Sequence, residues 1–226
     1  MSKLYIVSTP IGNLEDITLR AVRILGEVDT ILCEDTRVTK RLLNHYEIET
    51  RTMSYHANSG LAKVDKIFEL IDEGQDLALV SDAGTPTISD PGVLLVSQIR
   101  QRYADQVEII PIPGASALLS ALVTSGFSGP DFTFLGFLPH KKGRQTLFME
   151  IAESKRTVVF YESVHRIEKC INSMVEFFPE KQIMVAKELT KIHEELMTGK
   201  PEEVKEYFKN HPDKIRGEFV VVVQGL

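Results

Sequence analysis

Apolar positions recur along this chain with two periods. Residues 3 to 8 (KLYIVS), 29 to 33 (DTILC), 77 to 81 (LALVS) and 107 to 110 (VEII) are short, rich in β-branched residues and flanked by polar ones, the pattern of strands. Between them, Val64, Ile67, Phe68 and Ile71 follow the i, i+3, i+4, i+7 spacing of one helical face that Gly74 can end. Leu95, Ile99 and Tyr103 stripe another helix, opened by Ser89 and Pro91. Alternating strands and helices predict parallel strands joined by crossovers, so residues 1–124 are expected to form an α/β domain with a doubly wound parallel sheet. GFSGPDF, residues 126–132, follows the helical ASALLSALV with two Gly and one Pro, and is the expected linker. Beyond it, FTFLGFL, RTVVFY, QIMVAKE and EFVVVV read as extended. Ile167, Ile171, Met174 and Phe178 mark a helix, and Pro201 opens another. Residues 125–226 are therefore expected to form a second, smaller mixed α/β domain.

Composition narrows the class. The 226 residues are 43% hydrophobic and 26% charged, with 14 Gly and 10 Pro, which excludes disordered and collagen-like chains. The longest apolar run, Phe219 to Val223, is too short to span a bilayer, and MSKLYIVS lacks the apolar core of a signal peptide, so a cytoplasmic protein without a membrane partner is expected. Cys33 and Cys170 match no metal-ligand spacing and the six His include no H-x-x-x-H pair, so buried thiols and no metal are expected. The net charge of -6 argues against a generally basic surface. A local basic patch survives in HKKGR, residues 140–144, where Lys141, Lys142 and Arg144 are candidates for holding phosphates, with Lys155, Arg156 and Arg166 downstream. A solvated basic loop is the more ordinary reading of the same residues.

Ligands of open α/β sheets bind beyond the carboxyl ends of strands, which directs attention to the loops there. TPIGN, residues 9–13, offers Pro10 and Gly12, yet its single glycine satisfies neither dinucleotide nor phosphate-loop fingerprints, and a tight structural turn explains it as well. SDAGTPTISDPG, residues 81–92, offers Asp82 for a cation or hydroxyls, Gly84 for close backbone approach, and the Thr85 hydroxyl. PIPGASA, residues 111–117, places Gly114 and Ser116 before a helix whose first amides can receive a carboxylate, although capping alone accounts for Ser116. CEDTR, residues 33–37, ends a strand with Glu34, Asp35 and Arg37, suited either to ribose hydroxyls or to an ion pair, such as Glu34 with Arg37, that holds the loop. YESVHR (161–166) and KELTKIHEE (187–195) also follow strands and are dense in polar groups.

Taken in order, STPIGNLEDIT, CEDTR, SDAGTPTISDPG, PIPGASA, GFLP, FYESVHR and KELTKIHEE resemble the small-subunit (16S) ribosomal RNA cytidine 2′-O-ribose methyltransferase family, within the tetrapyrrole methylase superfamily (class III) of S-adenosylmethionine-dependent enzymes. The resemblance covers essentially the whole chain. It implies a tetrapyrrole methylase-like fold, an S-adenosyl-L-methionine cofactor held between two domains, small-subunit ribosomal RNA as substrate, and a homodimer. It implies cofactor contacts at Pro10, Ile11, Gly12, Asp82, Gly84, Thr85, Ser116 and Ala117, joined by Leu138, Tyr161 and Ala186 from the second domain. Lys187 and Glu188 would lie near the transferred methyl group, as a general base with a charge that steadies the alkoxide, or as a structural ion pair. Asp35 and Arg37 are the alternative pair. Family members commonly continue into a small further domain, whereas this chain stops at Leu226. Two other readings stay open: methylation of a small tetrapyrrole-like substrate, and a cofactor-sensing RNA-binding module without turnover.

Overall fold

A computed structural model describes residues 1–56, 59–89 and 92–226. They form two compact units, Met1–Ser116 and Ala117–Leu226. In the first, β1 (Ser2–Val7), β2 (Thr30–Cys33), β3 (Arg51–Ser54), β4 (Leu77–Leu79) and β5 (Val107–Ile112) alternate with α1 (Leu19–Glu27), α2 (Thr36–His45), α3 (Leu61–Asp72) and α4 (Gly92–Tyr103). The sheet order is β3-β2-β4-β1-β5, parallel throughout. Successive residues of a strand face opposite sides, and both sides are apolar. Leu4, Leu32, Leu77 and Leu79 pack with Ile67 and Leu70 of α3 and Leu95 and Ile99 of α4. Val7, Ile31, Cys33, Ala78 and Val80 pack with Ala21, Ile24 and Leu25 of α1 and Leu43 of α2. The first two crossovers thus cover one face and the next two the other, which is the doubly wound arrangement expected. Pro91, the expected opener of α4, lies outside the described residues.

The second unit contains α5 (Ala117–Ser125), β6 (Phe132–Phe137), α6 (Arg144–Glu153), β7 (Thr157–Ser163), α7 (Ile167–Phe177), β8 (Ile183–Lys187), β9 (Glu195–Gly199), α8 (Pro201–Asn210) and β10 (Glu218–Val223). Its sheet, β6-β7-β10-β8-β9, is mixed: β6 and β7 run parallel and the other neighbours antiparallel. Phe160, Phe219, Val221 and Val185 bury one face against Phe148 of α6, Ile171 and Met174 of α7 and Val204 and Phe208 of α8. The opposite face receives α5, which packs on β10 and β7. That packing corrects the expected boundary at 124/125. Leu118, Ala121 and Leu122 are buried residues of α5, so the helix belongs to the second unit and GFSGPDF is an internal connection from α5 to β6.

Candidate functional site

The sheet of the first unit brings its strand-end loops together by neutral contacts. Ser8 and Thr85 share a hydroxyl hydrogen bond of 2.9 Å, and the Thr85 hydroxyl donates to the Ala115 carbonyl at 3.1 Å. Thr9 and Gly84 exchange both backbone bonds, 2.9 and 3.1 Å, as an isolated bridge between the first two loops. Gly84 has φ +80°, and a Cβ there would stand 3.2 Å from Ile11 Cγ2 and 3.6 Å from the Ala115 carbonyl. At Gly114 a Cβ would meet the Ser8 Cβ at 2.9 Å. These glycines are required where backbones cross at contact distance. The Gly84 amide is used on Thr9, and the close approach that Gly84 permits here is loop to loop.

Around this knot, Gly12, Asp82 and Ala83 are exposed, Pro10, Ser116 and Ala117 half-buried, and Ile11 buried beneath Gly84. Asp82 Oδ1 accepts the Asp35 amide at 3.0 Å, which ties the β2 exit to the same edge. Asp35 caps α2: its carboxylate takes the Arg37 amide at 2.8 Å and the Arg37 guanidinium at 2.6 Å. Those bonds hold the Asp35 carboxyl down at about 2. The partner of Arg37 is thus Asp35, two residues away, in place of Glu34, because an N-cap aspartate points back at the first turn. The first unit's loops fit part of an S-adenosylmethionine-like ligand: an exposed carboxylate at Asp82 for a cation, and small residues where bulk would intrude.

The second unit builds its edge with charge. Glu162, Phe219, Lys187 and Glu195 form one cross-strand row, on the face covered by α6, α7 and α8. Tyr161, Val220, Ala186 and Leu196 form the next row, on the face of α5. Tyr161 and Ala186 are thus brought side by side across β10. Tyr161 is half-buried between Phe134 and Phe137, with ring centroids at 5.0 and 5.4 Å, and burial pushes its phenol up.

Four expectations need correction here. Leu138 is 1% exposed and belongs to the core beneath α6 and α7, so its side chain is no ligand contact. Arg144 and Arg166, expected in the phosphate-binding patch, both turn inward onto the buried Glu162, at 2.9 and 2.7 Å. Lys187 and Glu188 do not pair with each other. Strand alternation sends Lys187 toward Glu195 at 3.4 Å, while Glu188, past the strand end at φ +49°, pairs with Lys191 at 2.9 Å. Burial pushes the Glu188 carboxyl up, but the Lys191 ammonium and the Glu218 amide outweigh it and leave the group below the ordinary glutamate value. Both of those hydrogen bonds land on Oε1. Gly217, φ +83°, makes room for that carboxylate, since a Cβ there would run into it. Left-handed Glu188 and Thr190 (φ +66°) each store about 1–3 kcal/mol of strain, a feature concentrated at functional loops.

Both cysteines are buried, as expected, and burial lifts the Cys170 thiol to about 12. Among the described residues no group of His, Cys, Asp and Glu could hold a metal, and no helix is long and apolar enough to cross a membrane. The roles of Ser8 and Glu162 were missed. A hydroxyl pair ending an apolar strand before Pro10, and a lone carboxylate inside the apolar TVVFYES, are the signals that mark them.

Comparison with known proteins extends these observations. The family profile "Tetrapyrrole (Corrin/Porphyrin) Methylases" matches residues 3–205. Ribosomal RNA small subunit methyltransferase I of Thermotoga maritima is 43% identical over 225 residues, covering 100% of this chain and 99% of that protein. Its counterpart in Bacillus subtilis is 43% identical, covering 100% of this chain and 76% of the relative. Among solved structures, the methyltransferase CobJ superposes with a TM-score of 0.73 at 18% identity, covering 100% and 95% of the two chains. The cobalt precorrin-4 methyltransferase CbiF gives 0.71 at 16%, covering 98% and 94%. These two share the fold. The profile over most of the sequence and the end-to-end kinship to named relatives lead to one assignment: the chain belongs to the tetrapyrrole (corrin/porphyrin) methylase family and, within it, to the ribosomal RNA small subunit methyltransferase I group.

Proposed function

We propose that this protein transfers the methyl group of S-adenosylmethionine to the ribose 2′-hydroxyl of a cytidine in small-subunit ribosomal RNA. The full-length kinship to proteins named for small-subunit ribosomal RNA methylation carries the reading. The motif order supports the finer choice of a cytidine 2′-hydroxyl. A tetrapyrrole-like substrate has only the shared fold in its favour, at 16–18% identity.

Bound S-adenosylmethionine supplies a methyl carbon on a sulfonium, which is electrophilic without activation. The protein's task is then alignment and exclusion of water, which supplies much of the rate in such transfers. The knot of Ser8, Thr9, Gly84, Thr85 and Ala115 gives the cofactor loops one fixed arrangement. Pro10, Ile11, Gly12, Ser116 and Ala117 surround it, and the Asp82 carboxylate attracts the cation. In the second unit, the row with Tyr161 and Ala186 is the surface suited to a ligand. Glu188 enters the reaction ionised. With both observed bonds on Oε1, its Oε2 takes up the 2′-hydroxyl proton. Lys187, buried against Glu195, supports the strand exit from which Glu188 projects. Asp35 and Arg37 hold the β2 exit and thereby Asp82. Lys141 and Lys142 are exposed, pair with no carboxylate among the described residues, and meet RNA phosphates. The working form is a homodimer, which light scattering of the purified protein checks.

The test is transfer of labelled methyl from S-adenosylmethionine to isolated small ribosomal subunits, followed by nuclease digestion of the RNA. Label in a 2′-O-methylated cytidine is expected. Label on a base, or only on a small tetrapyrrole offered in competition, would refute the proposal.

A further inference from the structure

Glu162 is a carboxylate inside an apolar strand, its side chain fully buried, and the methyl transfer described above makes no use of it. Its oxygens divide between two guanidiniums. Oε2 accepts from Arg144 Nη2 at 2.9 Å, and Oε1 lies 2.7 Å from Arg166 Nε while also accepting the Ser163 amide at 2.9 Å. Each arginine then uses a second arm on the main chain. Arg144 Nη1 donates to the Pro139 carbonyl at 3.2 Å, and Arg166 Nη1 to the Leu138 carbonyl at 2.8 Å. Leu138 and Pro139 immediately follow β6 and lead into Lys141 and Lys142. The far end of the segment closes at Gly143, φ +81°, and at the Arg144 amide, which donates to the Lys141 carbonyl at 3.3 Å. The forked, always-charged guanidinium holds a carboxylate and a carbonyl through separate nitrogens in a fixed plane, a geometry that an ammonium's single nitrogen does not impose.

We propose that Glu162 is a positioning residue for RNA: through Arg144 and Arg166 it locks the loop of residues 138–143, so that Lys141 and Lys142 meet the phosphates already ordered. A loop fixed before binding avoids the cost of ordering it on contact, and the benefit appears in affinity for the RNA while the rate of transfer stays as it was. The inference rests on the reading of Lys141 and Lys142 as phosphate contacts, and it replaces direct phosphate contact by Arg144 and Arg166.

The test is a double-mutant cycle in the full chain. Glu162→Gln is made alone and together with Lys141→Ala/Lys142→Ala, and steady-state transfer to isolated small ribosomal subunits is measured with hydrogen exchange of residues 139–144. Glu162→Gln is expected to speed exchange in the loop and raise the KM for subunits about tenfold, with kcat and the S-adenosylmethionine KM within about twofold; in the double-lysine background it should change the subunit KM by less than about twofold. An equal rise in both backgrounds, or an unchanged KM despite faster exchange, overturns the proposal, because a merely structural ion pair gives one or the other. If Glu162→Gln does not fold, Arg166→Met, which leaves the carboxylate its Arg144 partner, carries the same cycle. If the wild-type protein transfers no methyl group, the proposed reaction fails. The cycle is then read in binding of a small-subunit RNA fragment, where the same non-additivity decides.

Discussion

The two units organise their strand-end edges by opposite means. In the first, hydroxyls and main-chain groups of Ser8, Thr9, Gly84, Thr85 and Ala115 interlock with no charge between them, and glycine supplies the room. In the second, Glu162 with Arg144 and Arg166, and Glu195 with Lys187 and Lys214, hold the row through buried or half-buried charge. A neutral knot fixes backbone at close range and leaves the Asp82 carboxylate exposed beside it. In the charged brace both guanidiniums aim their donors inward at Glu162 and at main-chain carbonyls, whereas Lys141 and Lys142, just before it, stay exposed. Positive residues close together in sequence can therefore have opposite fates, as Lys142 and Arg144 do.

Breaking the brace should have the largest effect. Glu162→Ala leaves a buried and a half-buried guanidinium without their anion and is expected to lower stability by about 3–5 kcal/mol in urea unfolding. A loss under about 1 kcal/mol would mean that water replaces the carboxylate easily. Breaking the knot should cost less stability and more function. Gly84→Val forces a β-branched residue to φ +80° against Ile11, for about 1–3 kcal/mol of strain. Calorimetry should show S-adenosylmethionine binding weakened at least tenfold or so, because a shift there moves the loops around Asp82. Glu188→Gln should slow single-turnover transfer by roughly tenfold or more with cofactor affinity little changed. Lys187→Ala, in contrast, should act mainly on stability through its pair with Glu195. Last comes a titration. Asp35 is depressed to about 2, so its contribution is complete above the unfolded value of about 3.9 and is lost as pH falls through about 2. Carboxyl NMR should find Asp35 still ionised at pH 3, and a midpoint near 4 would show that the α2 cap is open in solution.

What the sequence reveals follows the same division. Backbone-determined features are local: the four strands of the first unit read from its apolar runs appear within a few residues, and the glycine- and proline-rich loops fall on one sheet edge because parallel strands put them there. Pairings between side chains far apart in sequence are not local. Nothing in HKKGR distinguishes Arg144 from Lys142; only the return of β7 beside α6 does, by delivering Glu162. Strands β3 and β9 were missed because RTMS is polar and at a sheet edge, and ELMTG alternates only weakly. The boundary at Ser116 was missed because α5, apolar nearly all round, suits either unit by pattern, and the face it covers on β7 and β10 decides.

The most direct test of this division is steady-state methyl transfer with each substrate varied in turn, for Gly84→Val and for Lys141→Ala/Lys142→Ala. The account predicts that Gly84→Val raises the KM for S-adenosylmethionine and leaves that for small subunits unchanged, while the double-lysine variant does the reverse, with a rise that diminishes as salt is raised. If both variants move the same constant, the neutral knot and the basic loop do not serve separate substrates, and the account is wrong.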